Sequence, residues 1–248
     1  MRPTLVRWCE RTEAVRPPPT RLNPTLLMKT KVIVSWSSGK DATLTLMKLL
    51  RDPAVEVVGL YTTYLEDEVP FQATPVDVLK QQAALTGLPL VLIPLPEAFP
   101  PNAVYQSRVV EGLRSSGLDI DAVAFGDMFC NGIAEYRRSY IEPAGWQCLF
   151  PLLGQDSRVL AQEILASGIQ TLITTVDTHQ LDGKYCGQWY NAAFLSQLPV
   201  QIDPCGENGE FHTLVTQAPC FRGELKLRLL ARERQSRFHY QRYQLLSS

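Results

Sequence analysis

The sequence predicts an α/β fold, a doubly wound parallel sheet followed by a smaller C-terminal α/β unit, and three features point to it. From Lys31 onward, short β-branched runs alternate with amphipathic segments, the rhythm of strands joined by crossover helices. Four of those runs, "KVIVSW", "VEVVGLYTT", "LPLVLIPL" and "IDAVAFGD", are almost continuously apolar, as strands are when helices cover both faces of a sheet. The first run continues into "SSGKDATLTL", a small-residue loop and a helix start, and such sheets bind ligands at the carboxyl ends of their strands.

The elements follow in order. Residues 31–36 form the first strand, and a helix begins at Gly39-Lys40. In 72–87, Val76, Leu79, Ala83 and Ala84 recur at helical steps before Gly87 ends the pattern; in 102–117, Val104, Val109 and Leu113 do so before Gly117. The character changes after "EPAGWQCLFPLLG". Asp156 or Ser157 caps a helix running to Gly168, "IQTLITTVD" reads as a strand and "CGQWYNAAFLSQL" as a helix. Near the end Leu225, Leu227, Leu229, Phe238 and Tyr240 alternate with polar residues, a terminal antiparallel hairpin. The predicted organisation is a disordered Pro-rich extension over 1–28, a ligand-binding domain over 29–145, and a substrate-side subdomain over 146–248.

With 248 residues and 45% hydrophobic content the chain can bury a sizeable core. It contains no apolar run of eighteen residues, so a helical membrane span is not expected. The first thirty residues are Arg-rich and lack the apolar stretch of a secretory signal; the expected location is the cytoplasm. Six cysteines occur with no C-x-x-C pair, which gives no support for a zinc site or redox dithiol and reads as free thiols. The net charge of -1 conceals an asymmetry: residues 1–31 and 222–248 each carry seven Lys/Arg against two Asp/Glu, leaving ten against twenty-one between them. An acidic body is a poor general surface for nucleic acid, which is not expected as a partner. The basic C-terminal stretch reads as a solvated hairpin face or as a contact for an acidic partner.

The loop at 37–41 carries the first chemistry. Backbone N–H groups of Ser38, Gly39 and Lys40 at a helix N-terminus favour an anion, Ser37 and Ser38 add hydroxyls, and Lys40 adds charge. The commonest Gly-Lys phosphate loop is not matched, because Val34 stands where its first Gly belongs and Asp41 where its Ser or Thr belongs. A second stretch, "CGENGEFHT", holds a tight-turn signal at Asn208-Gly209. If a strand follows, Glu210 and His212 share one face and Phe211 takes the other. Carboxylates and an imidazole about one turn suit proton transfer or ammonium binding; a hairpin with solvated carboxylates is the plainer alternative. Arg137 and Arg138 fit either a substrate anion or an exposed helix face. Cys186 and Cys205 are expected to pack, not to react.

"SWSSGKDAT" resembles the S-G-G-x-D-S loop of the PP-loop ATP pyrophosphatases, and "QIDPCGENGEFHTLV" resembles the G-E-N-G-E-(F/Y)-H-T signature of the diphthine-ammonia ligase family. "AFGD" (124–127), "EYRR" (135–138), "PLLGQDSRVLAQE" (151–163) and "TTVD" (174–177) agree in order. The resemblance implies a PP-loop fold over 29–145 and an ATP-dependent amide ligase. ATP adenylates a substrate carboxylate with loss of pyrophosphate, and ammonia then displaces AMP. By position it places Ser37, Ser38, Gly39, Lys40 and Asp41 on the β- and γ-phosphates, with Thr43 beside them and Asp41 as the Mg²⁺ partner. Asp127 becomes a second ligand or substrate contact, although it also reads as an N-cap for a helix near Asn131. The implied catalytic set is Lys40, Asp41, Glu207, Glu210 and His212, the cofactors are ATP and Mg²⁺, and the partners are a carboxylate-bearing substrate and ammonia.

Two positions depart from the pattern. Ala42 replaces the loop's final Ser, and Phe71-Gln72 stand where the family has Met-His. These keep open a non-catalytic adenine-nucleotide binding protein; a PP-loop RNA-modifying enzyme is the remaining alternative.

Overall fold

A computed structural model describes residues 28–70, 72–129 and 131–246. The expectation for the extension at 1–27, and those for Phe71, Cys9 and Cys130, lie outside the described residues. Strand β1 (Thr30–Ser35) leads through the loop into helix α1 (Lys40–Arg51), and β2 (Val55–Tyr64) follows. A short β3–β4 pair (Glu68–Val69, Thr74–Pro75) precedes α2 (Val76–Thr86), then β5 (Leu90–Pro94), α3 (Asn102–Arg114), β6 (Ala122–Ala124), α4 (Ile133–Ile141) and β7 (Gln147–Leu149). The remainder is α5 (Ser157–Ala166), β8 (Gln170–Asp177), α6 (Ala192–Gln197), β9 (Phe211–Gln217), β10 (Leu227–Gln235) and β11 (Phe238–Leu245).

The doubly wound parallel sheet is present, in the order β5-β2-β1-β6-β7. Val32, Ile33 and Val34 of its central strand are fully buried, each contributing about 1.5–3 kcal/mol by leaving water. Because the chain winds one way from β1 to β2 and β5 and the other way to β6 and β7, the order reverses between β1 and β6. Crossovers leave in opposite directions there, so a crevice opens at the strands' carboxyl ends. Gly126, just past β6, lies so close to the first turn of α1 that a Cβ there would sit 3.0 Å from the Asp41 carbonyl carbon.

Three expectations change. Strand β7 lies at 147–149 and completes the first sheet, so a boundary at 145 cuts that sheet. The second unit is built on an antiparallel sheet, β10-β11-β8-β9, with the terminal hairpin as expected. The helix expected over "CGQWYNAAFLSQL" is confined to Ala192–Gln197, because Trp189 bridges antiparallel to Leu172 and the Asn191 side chain caps the helix by accepting from Phe194 N at 2.9 Å. Asp156, not Ser157, is the cap of α5, accepting from Arg158 N and Val159 N.

The two units share one core, in which Val32, Val34 and Leu46 of the first join Ile173, Phe194 and Phe211 of the second. Gln82, fully buried on α2, ties them with polar bonds. Its Oε1 accepts from Trp36 Nε1 at 2.9 Å, and its Nε2 donates to the carbonyls of Ser38 at 3.1 Å and Val215 at 2.7 Å. Val215 N in turn donates to Ser38 O at 3.0 Å. Removing the amide strands the buried Trp36 indole N–H and takes a donor from the Val215 carbonyl, while Ser38 O keeps Val215 N, at about 1–3 kcal/mol for each unsatisfied group. Gln82→Ala is expected to lower stability by about 2–4 kcal/mol, and thermal unfolding should show Tm falling by about 2–4 °C for each of these.

Candidate active site

The loop between β1 and α1 makes its turn at Ser38, whose φ is +70°, a backbone region that a side chain rarely adopts. Its hydroxyl is held by Thr74 Oγ1 at 3.0 Å, with Gln72 Oε1 at 3.5 Å, so the strained turn is braced by the β3–β4 segment. That bond also turns the hydroxyl inward, and Ser38 is fully buried. Ser37, Gly39, Lys40, Asp41 and Ala42 instead line a cavity of about 310 Å³ at the crevice between β1 and β6. Thr43 does not reach that cavity. Its hydroxyl donates to Gly39 O at 2.9 Å and supplies no replacement for the hydroxyl missing at Ala42.

Across the cavity stands the loop from 203 to 213. Asp203 starts it by accepting from Cys205 N at 2.8 Å and Glu207 N at 3.4 Å, a side-chain-braced turn. Gly206 and Gly209 take φ of +74° and +81°. Glu210, expected in the catalytic set, is 2% exposed, and its carboxylate accepts from Asp203 N, Asn208 N and Asn208 Nδ2 at 2.9–3.0 Å. It braces the turn from inside and is absent from the cavity lining, because the three donors satisfy its oxygens within the loop. Glu207, Phe211, His212 and Thr213 do line the cavity.

Lys40 joins the two halves. Its ammonium donates to Asp41 Oδ2 at 2.8 Å and to the Cys205 carbonyl, and it lies 5.9 Å and 5.6 Å from the ring centres of Tyr190 and Phe211. The amide of Lys40, expected to be open to an anion, donates to Thr213 Oγ1 at 3.1 Å. Burial opposes the ammonium's charge, but Asp41, Cys205 and Glu207 outweigh it and leave its pKa raised. Burial likewise raises the Asp41 pKa against the pull of Lys40, and Asp41 Oδ1 is buried without a hydrogen-bond partner.

Burial, then the charge of Asp41, pushes the Glu207 carboxyl up to about 8, with Asp127 and Asp203 adding and Lys40 opposing. Burial and the nearby Lys40 charge lower His212 to about 4, so its imidazole is neutral at pH 7. Cys205 is pushed up to about 12, chiefly by burial, and its thiol donates to Ser157 O at 3.3 Å; it packs, as expected. Among the described residues, no three His, Cys, Asp or Glu side chains are grouped to hold a metal by themselves.

Asp127 lies past the end of β6 and does not cap α4, whose N-cap is Gly132. It pairs instead with Arg137 Nε at 3.2 Å. Arg137 is mostly buried, donates to Tyr140 Oη at 3.3 Å and stacks 4.9 Å from the Phe125 ring centre. Arg138 pairs with Glu142 on the surface at 2.7 Å. Two adjacent arginines that look alike in sequence are thus separated by the helix: one faces the crevice, the other water.

A second cavity of about 560 Å³ adjoins the first beyond the carboxyl ends of β1 and β2, with Tyr61, Phe99, Tyr105 and Tyr136 in its walls. A third, about 430 Å³, opens between Asp127, Asn131, Tyr136 and Glu207. The sequence patterns do not mark Asp203, Thr213, Phe125 or Gly126 as site residues. The Asp-Pro-x-Gly run at 203–206 carries a turn signal; the others become neighbours only when the two units pack.

Sequence and structure comparisons bear on the same segments. Residues 156–246 match the diphthamide synthase C-terminal domain family. The diphthine--ammonia ligase of Schizosaccharomyces pombe is 24% identical over 221 residues, covering 79% of this chain and 36% of that protein. The chain therefore spans about a third of the length of that relative. Among solved structures, the U34-tRNA thiolase NcsA from Methanococcus maripaludis, with its 4Fe-4S cluster, is similar at 16% identity and a TM-score of 0.37, over 58% of this chain and 59% of that one. No helix among the described residues is long and apolar enough to cross a membrane.

The Glu207 shift has a thermodynamic consequence. Its carboxyl ionises near its ordinary 4.5 in the unfolded chain and near 8 in the folded one. Between those values the folded state binds more protons, so this group lowers stability as pH rises and levels off above about 8. His212 has the opposite sign: the unfolded imidazole gains its proton below 6.5 and the folded one only near 4, so stability falls as pH drops through that window. Glu207→Gln should raise Tm little at pH 5 and by about 5 °C or more at pH 9. A pH-independent Tm difference in calorimetry would contradict the assigned environment.

Proposed function

We propose, for a chain whose residues 156–246 match the diphthamide synthase C-terminal domain family, an ATP-dependent amide ligase that adenylates a carboxylate and passes the acyl group to ammonia. The observation that carries it is the convergence of the α1 first turn and the 203–213 loop on one cavity. Pyrophosphate sits against Ser37, Gly39 and the start of α1, where the helix dipole favours an anion, and the nucleoside occupies the aromatic-walled cavity beside it. Asp41 fits Mg²⁺, because its buried Oδ1 has no other partner and one carboxylate plus phosphate oxygens is an ordinary set for that ion. When bound, Mg²⁺ neutralises phosphate charge.

The chemistry proceeds in two displacements. A substrate carboxylate oxygen bonds to the α-phosphorus while the bond to the bridging oxygen breaks, and pyrophosphate leaves with the electron pair. Ammonia then attacks the acyl carbon, the bond to the AMP oxygen breaks, and AMP leaves. Glu207, with a pKa of about 8, is matched to taking a proton from ammonium near neutral pH. Neutral His212 can accept or donate a hydrogen bond to the same centre. The substrate enters through the cavity between Asp127 and Glu207, and its identity beyond a carboxylate is open to a screen.

A nucleotide-binding protein without turnover is the second reading, favoured by one observation: Ala42 lines the cavity and the Thr43 hydroxyl is turned to Gly39 O. Incubation with ATP, Mg²⁺, ammonium and a panel of carboxylates separates the two by pyrophosphate release. Asp41→Ala is expected to reduce release at least about 100-fold. Glu207→Gln should bind ATP within about twofold of the parent while amide formation falls about 10²–10⁴-fold. Full amide formation by Glu207→Gln would remove it from the mechanism, and ATP binding without pyrophosphate for any carboxylate would favour the second reading.

A further inference from the structure

We propose that Arg137 is a catalytic residue of the adenylation step, contacting the α-phosphate of ATP. The assignment rests on the nucleotide reading of the crevice and begins from where the cavities meet. Four residues line both the 310 Å³ and the 560 Å³ cavity: Ser35, Ser37, Gln72 and Arg137. With pyrophosphate at the first turn of α1 and the nucleoside in the larger cavity, the atom joining them lies at this neck. Arg137 is the one cation of the four.

Its environment suits a group that must be charged and immobile. Asp127 accepts from Nε at 3.2 Å, Tyr140 Oη accepts from one terminal nitrogen at 3.3 Å, and the rings of Phe125 and Tyr136 lie 4.9 Å and 5.9 Å from the guanidinium carbon. A guanidinium held on its Nε edge and flanked by rings keeps its planar fork pre-organised, so little entropy is lost on meeting a phosphate. Placed in advance where charge develops, such a donor stabilises the transition state without reorganising. In the step itself the carboxylate oxygen bonds to phosphorus, the bond to the bridging oxygen breaks, and pyrophosphate carries off the electron pair. The non-bridging α-oxygens hold negative charge throughout, and Arg137 meets one of them. The same contact holds the AMP portion of the acyl-adenylate until ammonia displaces it.

Titration calorimetry with adenosine, AMP and inorganic pyrophosphate on the parent, Arg137→Gln and Arg137→Lys tests this without knowledge of the acyl substrate. Arg137→Gln is expected to weaken AMP about 10–100-fold while adenosine and pyrophosphate stay within about twofold. Arg137→Lys keeps the charge and loses the fork, and should fall between the two; it also serves if the glutamine variant does not fold. AMP affinity unchanged in the variants, or adenosine weakened as much as AMP, overturns the assignment while leaving nucleotide binding intact. A parent protein that binds none of the three ligands overturns both the nucleotide reading and the assignment.

Discussion

A buried ammonium must have its donors met, and in this chain the Lys40 ammonium holds the crevice together. It reaches from the first turn of α1 to Asp41 beside it and to the Cys205 carbonyl in the loop from 203 to 213. The rings of Tyr190 and Phe211 flank the same ammonium, so removing the Asp41 carboxylate while the cation stays buried would be far costlier than losing an exposed ion pair. The loop between β1 and α1 and the loop carrying Glu207 are therefore tied to one another. The lysine that looks in sequence like a phosphate ligand spends its hydrogen bonds on assembling the site.

That one charge also orders the others. Burial raises Asp41 and Glu207, and the neighbouring carboxylates add to the rise at Glu207. Lys40 opposes the burial that raises both Asp41, its hydrogen-bonded neighbour, and Glu207, which still reaches about 8. At the far wall Arg137 pairs with Asp127 at 3.2 Å. The crevice thus holds two ion pairs, Lys40–Asp41 and Arg137–Asp127, and a Glu207 carboxyl pushed up to about 8. Reversal of strand order between β1 and β6 supplies the opening in which they stand.

The legible part of the fold was the part that period and punctuation encode. Val32, Val34 and Leu60 belong to runs apolar enough to announce strands buried on both faces, and Gly87 closes α2 in a left-handed cap as its position suggests. Strand β7 was not legible, since three residues carry no period and only pairing with β6 makes them a strand. The helix at Ala192–Gln197 came out shorter than its composition suggests, because a cross-sheet bridge claims Trp189. Of the candidate site residues, Ser37, Gly39, Asp41, Glu207 and His212 were named from sequence, and they line one cavity. Ser38, Thr43 and Glu210 were named with them, and the structure turns all three side chains inward.

By itself the sequence determined the class of fold and singled out the two segments that meet at the crevice, the first of them a helix start of the kind that suits an anion. These follow from local rules: burial period, turn residues, and donors at a helix start. Tertiary structure alone decided which side chains face the crevice. Whether a hydroxyl, an amide or a carboxylate is available to a ligand depends on whether a partner from elsewhere in the chain has already satisfied it. Thr213 takes the Lys40 amide, Thr74 takes the Ser38 hydroxyl, and Arg137 rather than Arg138 turns inward. Those partners lie 173, 36 and 10 residues away, distances at which spacing in the sequence says nothing and packing says everything.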